Sequence, residues 1–267
     1  MNKLAWASVR PLKALGGGVA VSFLLISCAV AQLPAPAGPG CDKSTFKIAL
    51  DIGHNKTKPG ATSARGITEF TYNRNLGELV LPALQDAGFT STFLIGESGS
   101  VMSLHRRSEI AHEQNAALFI SLHHDSAQRQ YFSTWMFEGH EHPYSDKFHG
   151  YSIFISMSSH FARNNLTFAN DLGHALQAQG LTPSLHHAEP IQGEGRVLLN
   201  PELGVYRFDE LAVLRGATMP ALLLESALIV NRDQEEVIRS GLYHPKVVTA
   251  IVDAVLQYCS AQQPLPK

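Results

Sequence analysis

Apolar residues in this chain gather in short unbroken runs, and three of those runs end on chemically active side chains. They are Ile48-Ala49-Leu50-Asp51-Ile52-Gly53-His54, Leu118-Phe119-Ile120-Ser121-Leu122-His123-His124-Asp125 and Ala221-Leu222-Leu223-Leu224-Glu225. Such runs, bounded by polar or glycine positions, read as strands buried on both faces. Residues 46–52, 90–95 and 117–122 predict the first three strands. Between them the period changes. Leu76, Leu79, Val80, Ala83 and Leu84 recur at helical spacing within 69–87, and Gly88 stops that helix. Pro82 inside it is expected to kink or split it. Ser103 is placed to cap a second helix reaching Gln114.

The βαβαβ alternation predicts an α/β fold, a mostly parallel twisted sheet of about six strands with helices on both faces. Residues 126–150 break the regularity with Tyr131, Phe132, Trp135, Phe137, Tyr144 and Phe148. They read as a self-packed flap, with a groove wall as the alternative. A strand over 151–156, placed at a sheet edge, and a helix over 165–179 follow. The 181–204 loop holds His186, His187 and Glu189, which read as solvated ahead of a substrate or second-metal contact. Strands over 211–214 and 221–225 complete the sheet, and Pro245 opens a final helix to Tyr258.

In open α/β sheets, ligands and catalytic groups collect outside the carboxyl ends of the strands. His54, His123 and Glu225 are therefore aimed at one cleft, as in a mononuclear metal hydrolase. Catalytic zinc takes three protein ligands from His, Asp or Glu and keeps one position open. His54 and His123 supply nitrogen. Glu69, at the junction into the first helix, is the best third ligand, with Asp51, His124 and Asp125 as alternatives or supporting groups.

Composition sets the compartment. Lys3, Arg10 and Lys13 precede an apolar stretch from Ala14 to Ile26 and then small residues, the layout of an export signal over 1–31. Ala29-Val30-Ala31 fits simple cleavage, whereas Leu25-Ile26-Ser27-Cys28 resembles a bacterial lipobox that would put a lipid anchor on Cys28. A Pro/Gly-rich linker spans 32–44, the catalytic domain 45–260 and a tail 261–267. The signal carries three of the 21 Lys+Arg and no acidic residue, so the remainder has 18 against 23 Asp+Glu, a net charge of −5. That balance gives no reason to expect nucleic acid. Cys41 precedes the first strand and Cys259 closes the last helix, which brings both to the sheet's opposite face. A Cys41–Cys259 disulfide is therefore predicted, in keeping with an oxidising compartment.

The motifs resemble the zinc-dependent N-acetylmuramoyl-L-alanine amidases of the AmiC type, the amidase-3 family. Asp51-Ile52-Gly53-His54, Gly60-Ala61 and Glu69 match its first motif. Arg107, Asn115 and Ser121-Leu122-His123-His124-Asp125 match the next. Met219-Pro220-Ala221-Leu222-Leu223-Leu224-Glu225 with Asn231 match the last. The resemblance implies one zinc ion on His54, Glu69 and His123, Glu225 as the catalytic carboxylate, and peptidoglycan as substrate. Asp125, Arg107 and Asn115 are then supporting or substrate-contacting residues, with Arg107 holding a carboxylate such as Glu69 or Asp125. A monomer is expected.

Two departures stand out. Asn55-Lys56 replace the family's usual glycine pair after Gly53-His54. The plug helix of regulated relatives, whose Glu blocks the zinc, has no room between Ser156 and the 165–179 helix. Constitutive activity follows unless Glu138, Glu141 or the 181–204 loop covers the site. A zinc peptidase or small-amide amidohydrolase of similar fold is the alternative enzyme, and a non-catalytic wall-binding module is the weakest reading.

Overall fold

The structure, a computed structural model, describes residues 40–262, so the signal, lipobox and most of the linker lie outside the described residues. The chain runs through β1 (Ile48–Ile52), α1 (Glu69–Asp86), β2 (Phe93–Ile95), α2 (Leu104–Glu113) and β3 (Leu118–Asp125). A hairpin of β4 (Ser133–Phe137) and β5 (His140–Tyr144) precedes β6 (Ser152–Ile155) and α3 (Ala162–Ala178). After β7 (Val197–Asn200), β8 (Val205–Arg207) and α4 (Ala212–Arg215) come β9 (Ala221–Leu228), α5 (Arg232–Arg239) and α6 (His244–Ala261).

A seven-stranded sheet in the order β2-β1-β3-β9-β6-β8-β7 forms the middle layer. β2, β1, β3 and β9 are mutually parallel, β6 runs antiparallel to β9, and β7 antiparallel to β8. Every residue of β1 is buried because both sheet faces are covered. Side chains alternate along each strand. Ile48, Leu50, Ile52, Leu118, Ile120 and Leu122 thus join the core that α1, α3 and α6 complete. Ala49, Phe119 and Leu223 face the opposite core with Ala111 of α2 and Val213 and Leu214 of α4.

Several expectations change. Residues 211–214 lie at a short helix, α4, and not in a strand. Four apolar residues carry too little periodicity to distinguish the two, and β7 and β8 supply the strands there instead. The β6 strand sits inside the sheet rather than at its edge. Pro82 does not split α1, whose Leu76, Val80 and Leu84 anchor it to the core on both sides of the proline. Ser103 caps α2 as expected, its hydroxyl accepting from the Arg106 amide at 3.1 Å.

Cys41 and Cys259 are disulfide-bonded, with Cα atoms 5.1 Å apart. The backbone supports the link, the Cys41 amide donating to the Cys259 carbonyl at 2.9 Å. With its ends 218 positions apart in sequence, the bridge removes much freedom from the unfolded chain. Reduction, or Cys41→Ser, should cost about 2–5 kcal/mol. Denaturant melts with and without reductant will measure it; coincident curves would mean the bridge contributes nothing.

Candidate active site

The strand order turns back on itself at β1, with β2 on one side and β3 on the other. This is the kind of switch point where an open sheet leaves a crevice. His54 follows β1, His123 ends the regular part of β3, and Glu69 opens α1. The structure brings all three together. His54 Nε2 lies 3.0 Å from Glu69 Oε2, and His123 Nδ1 lies 2.9 Å from Glu69 Oε1. Their donor atoms are close enough to share one cation.

The backbone is shaped for this approach. A Cβ on Gly53 would stand 2.3 Å from the His123 ring, and one on Gly60 would stand 2.2 Å from Glu69 Oε2. His54 itself takes a left-handed φ of 66°, uncommon for a residue with a side chain. Asn55 then closes the turn, its Oδ1 accepting from the Thr57 and Lys58 amides at 2.9 Å each. An asparagine side chain thus organises this loop. A cleft of about 440 Å³ opens beside the histidines, bordered by Lys58, Met102 and Leu104.

Glu69 is fixed from several sides. The Ala61 amide donates to Oε2 at 3.0 Å, and Asn73, one turn along α1, donates to Oε1 at 3.2 Å. Burial pushes the Glu69 carboxyl up, but hydrogen bonds from His123 and His54 outweigh it and hold the group below the usual carboxylate range. Glu225 is in the opposite state. It pairs across the sheet with His123 in the middle of β9, and its Oε1 is 4.0 Å from His123 Nδ1. Its Oε2 is buried with no hydrogen-bond partner. Burial first, then the charges of Asp125 and Glu69, push this carboxyl well above its ordinary range. Two neighbouring carboxylates are thus driven apart in acidity, one kept ionised and the other poised to hold a proton.

Residues 48–257 match the N-acetylmuramoyl-L-alanine amidase family. The chain belongs to the amidase-3 family. Among relatives, N-acetylmuramoyl-L-alanine amidase AmiA of Escherichia coli K12 is 24% identical over 248 residues, covering 82% of this chain and 79% of AmiA. The crystal structure of Ami1 from Mycobacterium smegmatis, an N-acetylmuramyl-L-alanine amidase, superposes with a TM-score of 0.63 at 16% identity. That match covers 83% of this chain and all of Ami1. The catalytic domain of CwlV from Paenibacillus polymyxa gives 0.59 at 21% identity, over 81% of this chain and 99% of that domain. The amidase fold is therefore the one the sequence predicted.

In this amidase, Arg107 holds neither Glu69 nor Asp125. It donates to Asp51 Oδ1 at 2.6 Å and to the carbonyls of Ile52 and His54, tying α2 to the exit of β1. Ser121 donates to the other Asp51 oxygen at 2.7 Å. The nearest carboxylate wins because Asp51 and Ser121 lie side by side in register on the sheet face that α2 covers. Asn115 is not at the site. It is an exposed residue with φ 56° at the end of α2, ahead of β3, where asparagine tolerates the left-handed turn.

The 181–204 segment is not a solvated loop. His186 is buried, and His187 reaches Asp125, Nε2 to Oδ2, at 2.8 Å. Burial lowers the His186 pKa. For His187 burial acts the same way, but Asp125 and Glu194 outweigh it and raise it to about 9. Glu189 accepts from Tyr131 at 2.9 Å and so ties this segment to the aromatic stretch. There, β4 and β5 make a hairpin in which Trp135 stacks on Phe137 and donates to the Ala64 carbonyl. The hairpin thus leans on the loop between β1 and α1, as a packed flap, with Glu138 and Glu141 exposed at its tip.

Sequence reasoning missed Asn73, His244 and Glu194. Asn73 stands four residues after Glu69 on one helix face, a spacing that could have found it. It also holds His124, whose other nitrogen meets His244 at 3.1 Å. Burial keeps both of these rings neutral, His244 down to about 4.

Proposed function

We propose that this chain hydrolyses the amide between N-acetylmuramic acid and L-alanine of peptidoglycan, with one zinc ion held by His54, Glu69 and His123. Membership of the amidase family supports the substrate. The donor set supports the metal: two imidazoles and a carboxylate converge where only glycine fits behind them. The observation that carries the reading is the orphaned, buried Oε2 of Glu225 beside that set. A buried acceptor without a partner is costly, and such atoms concentrate where a ligand or reaction completes them.

Zinc in such a site acidifies water and polarises the scissile carbonyl. The chain's residues do the rest. Glu225, brought to its ionised form by a neighbouring cation, takes a proton from the attacking water and returns it to the leaving amine of L-alanine. Asn73 and the Ala61 amide keep Glu69 in one orientation, as supporting hydrogen bonds do for metal-bound side chains. The mostly apolar cleft beside Lys58, Met102 and Leu104 takes the substrate flank. The enzyme acts outside the cytoplasm. The export pattern and the Cys41–Cys259 bridge support that placement, with lipidation at Cys28 as a variant of it.

Purified sacculi provide the test. The enzyme should release sugar-free stem peptides with a new N-terminal alanine; chelation should stop release and zinc should restore it. Cuts within the stem that leave the lactyl amide intact would favour the peptidase alternative.

A further inference from the structure

Beyond the proposed zinc centre, a second cluster occupies the inner side of the 181–204 segment. His186 and His187, consecutive residues of one 3-10 turn, both direct Nε2 at a single oxygen, Asp125 Oδ2. The distances are 3.4 Å from His186 and 2.8 Å from His187. The far nitrogens are already taken. His187 Nδ1 lies 2.8 Å from Glu194 Oε2, and His186 Nδ1 lies 2.9 Å from Ser184 Oγ. Glu194 is held in turn by the Gln128 amide at 2.6 Å. Histidines that bind metals show this division: one ring nitrogen faces the ion and the other is fixed by a carboxylate or hydroxyl behind it.

Packing locks the rings in place. His186 and His187 lie 3.9 Å apart between centroids, and Phe148 stacks on His186 at 5.0 Å. His186 is 3% exposed, and its Nε2 has no hydrogen-bond partner although it faces the Asp125 carboxylate. A buried polar atom in that position lacks something to bind. Ligand atoms about 2.0–2.2 Å from a tetrahedral zinc stand roughly 3.3–3.6 Å from one another. The His186–Asp125 separation already meets that spacing, and the His187–Asp125 contact needs to open by about half an ångström.

We infer that Asp125, His186 and His187 form a second binding site, for a divalent transition-metal cation, next to Glu225. Two imidazoles and one carboxylate suit zinc and its first-row neighbours, whereas calcium and magnesium prefer oxygen-only shells. The cation replaces the proton between His187 Nε2 and Asp125 Oδ2. His187 and Asp125 keep 13% and 10% of their side chains exposed, so the cluster is not sealed from solvent. A cation there fastens the 181–204 segment to the end of β3 and offsets the negative charge of Asp125 beside the acid-base carboxylate.

Equilibrium dialysis of the purified enzyme against Zn2+, with metal counted per chain, tests this. Wild type should hold two zinc ions, and His187→Ala and Asp125→Asn one each. His54→Ala should also hold one, and the His54→Ala/His187→Ala pair none. One zinc in wild type, with an unchanged count in His187→Ala and Asp125→Asn, overturns the second site. Loss of zinc on His187→Ala but not on His54→Ala would instead overturn the first. Circular dichroism checks that each variant is folded, and the near-isosteric Asp125→Asn keeps the test valid should His187→Ala unfold. Co2+ gives an independent count, since its visible spectrum in wild type should be the sum of the spectra of the two single-site variants.

Discussion

Glu225→Gln should retain its zinc at the His54 site and lose about 10²–10⁴-fold in turnover on sacculi, the share that a positioned acid-base group supplies. The same substitution has a second consequence in the metal-free enzyme. Burial and the nearby Asp125 and Glu69 charges raise the Glu225 pKa well above its unfolded value. A carboxyl so raised contributes stability that is complete below the unfolded value, near 4.5, and is lost as pH climbs through the folded one. At neutral pH the metal-free wild type has therefore lost part of that contribution, whereas the neutral amide, which does not titrate, has none to lose. Metal-free Glu225→Gln should melt above metal-free wild type at pH 7, and the gap should close toward pH 4. An inactive variant with a raised melting point separates an acid-base role from damage to the fold. Zinc lost from the His54 site would make Glu225 a ligand, and equal melting at every pH would contradict its strained burial.

Much of this site was legible because each part sits at a boundary the sequence marks. A buried strand ends where the apolar run ends, so His54 and His123 could be placed, and Glu69 opens a helix whose period is plain. Glu225 was read as a strand end like the others, and that was wrong. It stands inside β9, four residues in, and reaches the cleft because it pairs with His123 where a bulge follows in β3. No apolar pattern announces a bulge. The 181–204 segment failed for a related reason. Its histidines are polar in composition and lie between glycines and prolines, the signature of a solvated loop. What buries them is long-range: Asp125 from β3, Phe148 from the stretch after the hairpin and Tyr206 from β8. Likewise Arg107 was known to need a carboxylate, but choosing Asp51 over Glu69 required knowing which sheet face α2 covers.

Arg107→Met should be the most destabilising single change at the cleft. The guanidinium is 3% exposed and Asp51 1%, so removing the cation strands a buried carboxylate with only the Ser121 hydroxyl. Breaking one side of a buried pair costs about 3–5 kcal/mol. Two carbonyls lose their donor as well, those of Ile52 and His54. His54 holds its left-handed backbone under that contact, so zinc affinity should fall even in the folded fraction. Adding Asp51→Asn removes the stranded charge while its amide oxygen can still accept from Ser121. The double variant should therefore recover part of the stability, whereas zinc affinity should stay low because the His54 carbonyl is still unheld. Denaturant melts of both singles and the double, each paired with a zinc titration, divide the two roles. Zinc affinity returning along with stability would reduce Arg107 to a charge partner. A cost under about 1 kcal/mol, typical of exposed pairs, would be incompatible with the burial that links β1 to α2.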